Sequence, residues 1–352
     1  MPTFTDLPIW LNLAIFGASA AAVWFAGTRL AGYVDGIAGR TGIGQGFAGL
    51  LLLGGITSLP EMATVATSSY TGNAPLALNN LLGSAAINVV LLAIGDAVLG
   101  RDALTSVVGK PSTLVQGSLG ILVLTLVAMA VTTGDVAVGG VGLWSITLLA
   151  CCVGALWMTS HYERRHVWTA VEGPGEESAA GQDEEATPSD AQAPLRALIA
   201  KTIGVAVIIL IAGFLLSQTG DALAEQSGVG ASLTGLVLVG FATSLPELSS
   251  ITAALRLKRY EMAIGDIFGT NLFNVGLIFV ADLLYAGAPV LSGAGPFEAV
   301  ASMLAVVLTA LVLLGLLERK NRTVLRMGYD SLAVLVAFAS GLALLYRLAP
   351  AN

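Results

Sequence analysis

Apolar residues run through this chain in blocks of about 20 or more, the length that crosses the hydrocarbon core of a bilayer as a helix. Ten blocks can be drawn, at 8–28, 42–69, 75–99, 112–132, 139–160, 195–217, 229–255, 261–284, 297–317 and 328–347. One polar interval, from Tyr162 to Pro194, separates the fifth block from the sixth. It carries Glu-Glu-Ser, Asp-Glu-Glu, Gly and Pro with few apolar anchors, the composition of a disordered linker. The pattern predicts an all-α polytopic membrane protein with ten transmembrane helices. A five-helix half over 1–160, a linker over 161–194 and a second five-helix half over 195–352 make up the chain.

Basic residues gather on the cytoplasmic side of membrane proteins, so their positions predict orientation. Arg29 and Arg40 fall between spans 1 and 2, Arg101 and Lys110 between spans 3 and 4, and Arg164, Arg165, Arg196 and Lys201 around the linker. Arg256, Lys258 and Arg259 follow span 7; Arg319, Lys320, Arg322 and Arg326 separate spans 9 and 10. All of these share one side if both termini lie outside and the linker is cytoplasmic, and of 16 basic residues only Arg347 is then left on the outer side. Five spans per half then turn the second half over relative to the first.

The halves are also related in sequence. At an offset of 186 residues, 42–96 aligns without a gap on 228–282, and 17 of the 55 positions are identical. Among them are Gly49/Gly235, Gly54/Gly240, Gly83/Gly269, Asn88/Asn274 and Asp96/Asp282. The pentapeptide Thr57-Ser58-Leu59-Pro60-Glu61 returns as Thr243-Ser244-Leu245-Pro246-Glu247. An inverted repeat of this kind places a substrate site near the midplane and supports alternating access.

Composition agrees. Charged residues make up 11% of the chain and mean hydropathy is +0.83, whereas a soluble domain carries roughly 25% charged residues. The net charge of -7 comes largely from the linker and does not speak for a nucleic-acid partner. No obligatory protein partner is evident, and Met1 to Pro8 lacks the basic start of a signal peptide. Cys151 and Cys152 are adjacent in an apolar run, a spacing unsuited to a disulfide with each other, and read as membrane filler.

The pentapeptides bear the chemistry. A proline inside a helix has no N–H to offer the carbonyl four residues back, so Pro60 and Pro246 free the carbonyls of Ile56 and Ala242. At membrane depth such carbonyls need another partner, and a dehydrated cation supplies one. One turn on, Glu61 and Glu247 place carboxylates in the membrane interior, where ionisable groups are rare and mark ion pathways. On the following spans Ser84 and Asn88, and in the second copy Thr270 and Asn274, share a helix face at a spacing of four. The candidate cage is Glu61, Glu247, Asn88, Asn274, Thr57, Thr243, Ser58, Ser244, Ser84 and Thr270, hard oxygen donors of the kind Ca²⁺ prefers. Gly83 and Gly269 allow close helix approach. Each residue also has a plain structural reading: protonated glutamates or asparagines as interhelical glue, and hydroxyls bonded back to their own helix. Asp96 and Asp282 sit at span ends, where carboxylates meet water, and read as structural or gating; Asp266 opens span 8, where it could help attract cations or cap the helix start, and the cap is the favoured reading.

The two motifs, Gly-Ile-Thr-Ser-Leu-Pro-Glu…Gly-Ser-Ala-Ala-Ile-Asn and Gly-Phe-Ala-Thr-Ser-Leu-Pro-Glu…Gly-Thr-Asn-Leu-Phe-Asn, resemble the repeats of the calcium/cation antiporter superfamily. The likeness is nearest to its prokaryotic sodium/calcium exchanger branch. It implies a transporter and not an enzyme, with Ca²⁺ and Na⁺ as transported ions and no resident cofactor. It also implies central roles for Glu61 and Glu247, Asn88 and Asn274 beside them, and the six hydroxyls as further ligands. Two departures stand out. The family's Gly-Ser-Asn is Gly83-Ser84-Ala85 in the first copy, and the aspartate that some members carry at one of the two Asn positions is absent. On that count the site holds at most two negative charges.

Protons could replace Na⁺, but proton-coupled members tend to show Gly-Asn-x-x-Glu where this chain has Ser-Leu-Pro-Glu, which favours Na⁺. A cation channel is a remoter alternative, since an inverted repeat with proline-broken helices suits alternating access better than a continuous pore. An intramembrane aspartyl protease would need two midmembrane aspartates, one of them in Gly-x-Gly-Asp; position 263 is alanine in Ala263-Ile264-Gly265-Asp266.

Overall fold

The computed structural model describes residues 4–99, 103–108, 110–163, 194–226, 241, 243–318, 323–324 and 327–348. The linker expectation, together with the stretch 227–240 and position 242 that would begin span 7, lies outside the described residues. Thirteen α-helices are described: α1 (Ile9–Thr41), α2 (Gln45–Ala48), α3 (Gly54–Thr57), α4 (Leu59–Tyr70), α5 (Ala74–Leu99), α6 (Leu104–Val107), α7 (Pro111–Thr133), α8 (Leu143–Glu163), α9 (Leu195–Gln226), α10 (Leu245–Arg256), α11 (Tyr260–Leu284), α12 (Pro296–Glu318) and α13 (Tyr329–Leu348). Two-residue strands form two small hairpins, β1 (Ala137–Val138) with β2 (Val141–Gly142) and β3 (Thr323–Val324) with β4 (Met327–Gly328).

Eight of these helices are long and apolar enough to cross a membrane. The segment Gln45–Thr57 and helix Leu59–Tyr70 pass the same test only together, as a pair bent by 43° that forms either a broken span or a re-entrant loop. The chain is a multi-pass, mostly helical membrane protein. Spans 3, 4, 5, 8, 9 and 10 fall within a few residues of the apolar blocks. Spans 1 and 6 do not: α1 continues through Arg29 to Thr41, and α9 runs to Gln226. Arg29 therefore lies inside a helix and not in a loop. Nothing between Arg29 and Thr41 breaks the helix, and Leu30, Ala31, Val34, Ile37 and Ala38 bury one face of the extension. The helix ends where Gly42 adopts a left-handed φ of 70°, which glycine tolerates without a Cβ clash.

The 186-residue spacing runs through the whole fold. Ile9, Leu59, Ala74 and Leu143 open helices whose counterparts open at Leu195, Leu245, Tyr260 and Tyr329, each 186 positions on. The hairpins repeat in the same register, Ala137 with Gly142 and Thr323 with Gly328. Contacts are exchanged between the halves in matched fashion. On α5, Asp96 accepts from the backbone N–H of Leu104 at 2.6 Å and of Gly328 at 2.6 Å. On α11, Asp282 accepts from Val290 at 2.7 Å, from the N–H of Gly142, and from Ser145 Oγ at 2.7 Å. These two carboxylates do not meet water: Asp96 is 1% and Asp282 2% exposed. Each pins the opposite half's hairpin, with charge-assisted bonds that a neutral residue could not match.

Close helix contact sets the centre. α11 packs against α2, the π-helical turn Gly49–Leu53 and α3, and also against α4, α5 and α10. A Cβ placed on Gly49, Gly265 or Gly269 would run into the backbone of Met262, Gly46 or Leu50 respectively. Main chain touches main chain along this seam, as small residues allow between membrane helices. α1 and α9 lie against each other and seat on the two broken helices: Gly27 against the Ser249 side chain and the Pro246 carbonyl, and Gly213 against the Pro60 ring. Near its end, α1 is tied to the turn before α11 by Arg259 Nε to Asp35 at 2.7 Å, with Gln45 Nε2 also donating to Asp35 at 2.8 Å.

Gly269→Ala is expected to destabilise the fold by about 1–3 kcal/mol, because backbone must move to admit the methyl group. Gly276→Ala, whose Cβ would have its nearest neighbour at 3.9 Å, should leave stability unchanged. Unfolding midpoints in detergent compare the two; equal midpoints would show that the seam has slack.

Candidate cation site

The seam places the two broken helices around α5 and α11. At Ser58 (φ -76°, ψ -1°) and Ser244 (φ -88°, ψ 8°) the chain takes a turn geometry just ahead of each proline. Helix resumes with Met62 N–H bonded to Ser58 O at 3.0 Å and Leu248 N–H to Ser244 O at 3.1 Å. Pro60 and Pro246 thus occupy a first helical turn, where a missing N–H is tolerated, and Glu61 and Glu247 each follow by one residue.

Both glutamates are fully buried, and among the described residues none of their four carboxylate oxygens meets a donor in full hydrogen-bond geometry, although the Thr57 hydroxyl faces Glu247. Ser84 Oγ, Ser244 Oγ, Asn88 Oδ1 and both polar atoms of Asn274 are likewise buried without a partner. Buried polar atoms are nearly always hydrogen-bonded; among the described residues 16 side chains carry buried atoms without a partner, and six of the 16 belong to the ten candidates. Thr57 and Thr270 touch through their hydroxyls at 3.2 Å, and Thr57 also donates towards Leu53 O at 3.0 Å. Ser58 donates to Gly54 O at 2.6 Å, the back-bond available to any helical serine, and its lone pairs stay open. Thr243 is fully buried and makes an interaction of its own.

Three residues outside the candidate set join them. Asn271 accepts from Asn88 Nδ2 at 3.2 Å and donates to Ala85 O at 3.1 Å. Since Ala85 and Asn271 are repeat mates, the one amide left in this position crosses to the backbone of the half that lacks it. Asn271 stands in the Gly-Thr-Asn motif, but it is rotated off the face shared by Thr270 and Asn274, so spacing directs attention past it. The second is Asp266. It is no helix cap: Arg259 precedes the first turn of α11, and Asp266 lies almost two turns inside, fully buried. It shares a face with Thr270 and Asn274 at intervals of four. Its Oδ1 lies 3.4 Å from Thr57 Oγ1, and its Oδ2 accepts from Ser250 Oγ, the third addition. Glu247 feels the negative charge of both Glu61 and Asp266. No three His, Cys, Asp or Glu side chains among the described residues draw together as a compact metal cluster. A cation held here must therefore also use amide, hydroxyl or carbonyl oxygens.

The family model for the sodium/calcium exchanger protein matches residues 11–158 and 197–347. The chain belongs to that family. A putative antiporter, CaxA of Alkalimonas amylolytica, is 26% identical over 314 residues, covering 85% of this chain and 89% of that protein. The inner membrane protein YrbG of Escherichia coli strain K12 is 26% identical over 223 residues, 63% of this chain and 64% of its own length. In architecture the chain is similar to the sodium-calcium exchanger NCX_Mj, with a TM-score of 0.67 over 96% of this chain and 99% of the other at 19% identity. At that identity the likeness concerns the fold. As a member of an exchanger family the chain is a transporter.

Asn271→Ala removes the bridge that orients Asn88. Cation affinity should fall about 10–100-fold, the usual effect of losing a partner of a ligand. Equilibrium binding of ⁴⁵Ca²⁺ to the purified variant checks this; wild-type affinity would show that Asn88 needs no such support.

Proposed function

We propose that this protein exchanges Ca²⁺ against Na⁺ across the cell membrane by alternating access, with Glu61 and Glu247 as the central ligands. One observation carries the reading: two fully buried glutamates with no donor in full hydrogen-bond geometry among the described residues, on helices that pack against the two spans bearing the unpartnered oxygens of Asn88, Asn274 and Ser84. Unpaired carboxylates are costly in a low-dielectric interior, and a cation that displaces its water for these oxygens removes that cost. Thr57, Thr243, Ser58 and Thr270 add hydroxyl ligands. The set offers enough oxygen for the six to eight ligands of Ca²⁺, or for dehydrated Na⁺ ions in competition with it.

Exchange without leak follows from the same energetics. With no basic partner for either glutamate among the described residues, the ion-free site resists passage through the closed state, whereas a loaded site approaches neutrality. Movement is assigned to α1 and α9. They lie together across the two broken helices and seat by Gly27 and Gly213 at the prolines. Sliding of this pair would open the glutamates to each side in turn, with the Asp35–Arg259 ion pair holding one position. The matched spacing of elements supports two inverted halves over 1–160 and 195–352, built on repeats at 42–96 and 228–282. Both termini are placed outside and the linker 161–194 in the cytoplasm.

The test is ⁴⁵Ca²⁺ uptake into proteoliposomes under a Na⁺ gradient, a proton gradient, or neither, beside Glu61→Gln and Glu247→Gln. Na⁺-driven uptake that falls at least about 100-fold in both variants is expected, since a charge-assisted ligand with no substitute is lost. Uptake driven only by protons would replace Na⁺ as the coupling ion, and no gradient-driven uptake would remove Ca²⁺ as cargo.

A further inference from the structure

The third carboxylate is the feature that sequence pattern does not account for. Asp266 is fully buried in α11, and no basic side chain pairs with it among the described residues: Arg259 is engaged by Asp35 and Lys110 by Glu261 at 2.7 Å. Its position in the first repeat is the neutral Asn80, so the charge belongs to one half only. Two hydroxyls face it, and neither is free to serve it fully. Ser250 Oγ has one proton and lies 3.0 Å from Glu247 O as well as against Asp266 Oδ2. Thr57 Oγ1 also has one proton, lies nearer to Leu53 O at 3.0 Å than to Asp266 Oδ1 at 3.4 Å, and contacts Gly54 O and Thr270 as well.

Oδ1 of Asp266 is therefore a buried carboxyl oxygen with no basic partner among the described residues and only a shared hydroxyl facing it. Close to it lie two hydroxyl oxygens, of Thr57 and Thr270, that already face each other. Glu247, fully buried on the neighbouring α10, also faces Thr57 and lies within electrostatic range of Asp266. Ser250, the donor to Oδ2, stands one helical turn beyond Glu247, so α10 brings both groups to the same place.

Resting on the exchanger reading above, we propose that Asp266 is a cation-binding residue of the transport site, holding a monovalent ion with Thr57 and Thr270 and giving the site a third negative charge. Glu61, Glu247 and Asp266 together then match three monovalent ions, while one divalent ion leaves a single negative charge uncompensated. The ion balance per cycle is set by this residue, in place of the aspartate that both asparagine positions lack.

The test uses the full chain in proteoliposomes, with Na⁺ and ⁴⁵Ca²⁺ as the probes. Reversal of flux is read against a clamped membrane potential to give the Na⁺ count and charge moved per Ca²⁺. Wild type is expected to move three Na⁺ per Ca²⁺ with one net positive charge. Asp266→Asn should move two, with flux reversal no longer dependent on potential, while Ser250→Ala, which keeps the carboxylate, should retain the wild-type ratio. An unchanged ratio in Asp266→Asn, or a wild type that moves only two, overturns the proposal. Should Asp266→Asn not fold, Asp266→Glu takes its place. That variant keeps the charge but shifts the oxygen by a methylene, so it should keep the ratio and move Na⁺ half-saturation several-fold; unchanged half-saturation overturns the role. A wild type with no Na⁺–Ca²⁺ coupling would instead sink the exchanger reading itself, and this inference with it.

Discussion

Carboxylates deep in an apolar bundle repel one another and find few donors, and the rest of this structure can be understood from how that strain is arranged. Among the described residues Glu61 and Glu247 meet no donor in full hydrogen-bond geometry, and Asp266 has only hydroxyls that are already shared. Folding a chain around such groups is unfavourable unless the remaining contacts are dense and well satisfied. Backbone packing at the glycine seam and the paired Asp96 and Asp282 anchors supply contacts of that kind. Among the described residues the two buried carboxylates left without a donor in full hydrogen-bond geometry on either oxygen are those of the paired pentapeptides.

The irregular backbone serves the same end. A π-helical turn at Gly49–Leu53, a break at Ser58 and a proline at the start of α4 follow one another within a dozen residues. Each loosens the regular ladder of main-chain bonds, and π-turns inside helices are common at functional sites. The chain can afford these irregularities because α11 covers them so closely that no side chain intervenes at Gly265 or Gly269. Packing of main chain on main chain keeps lipid away from polar atoms that hydrocarbon would penalise.

Duplication gave the two halves the same elements, and divergence gave them different charges. Asp96 and Asp282, the two hairpins and the two Gly–Pro seats have kept matching roles on both sides. Asn80 and Asp266 have not, nor have Ala85 and Asn271. Both departures fall where the two halves meet, Asp266 facing Thr57 and Asn271 bonding to Asn88. A symmetric scaffold thus carries a site whose charge lies mostly on the α10–α11 side.

The apolar blocks, the repeat and the paired pentapeptides were legible in the residues, as were the faces bearing Ser84 with Asn88 and Thr270 with Asn274. A helix repeats every 3.6 residues, so spacing alone tells which side chains share a face. The same rule could not show that α1 extends past Arg29, because packing on α9 and α10 stabilises a segment whose own composition is mixed. Nor could it show that Asp96 and Asp282 bond to hairpins in the opposite half, at sequence separations of 232 and 140. Asp266 is the sharpest case. Near the start of an apolar block it reads as a cap, yet Thr57, 209 positions away, and Ser250 on the neighbouring helix enclose it. Periodicity along the chain determines which residues can stand together on one helix; which charges meet across helices is decided only when the helices pack.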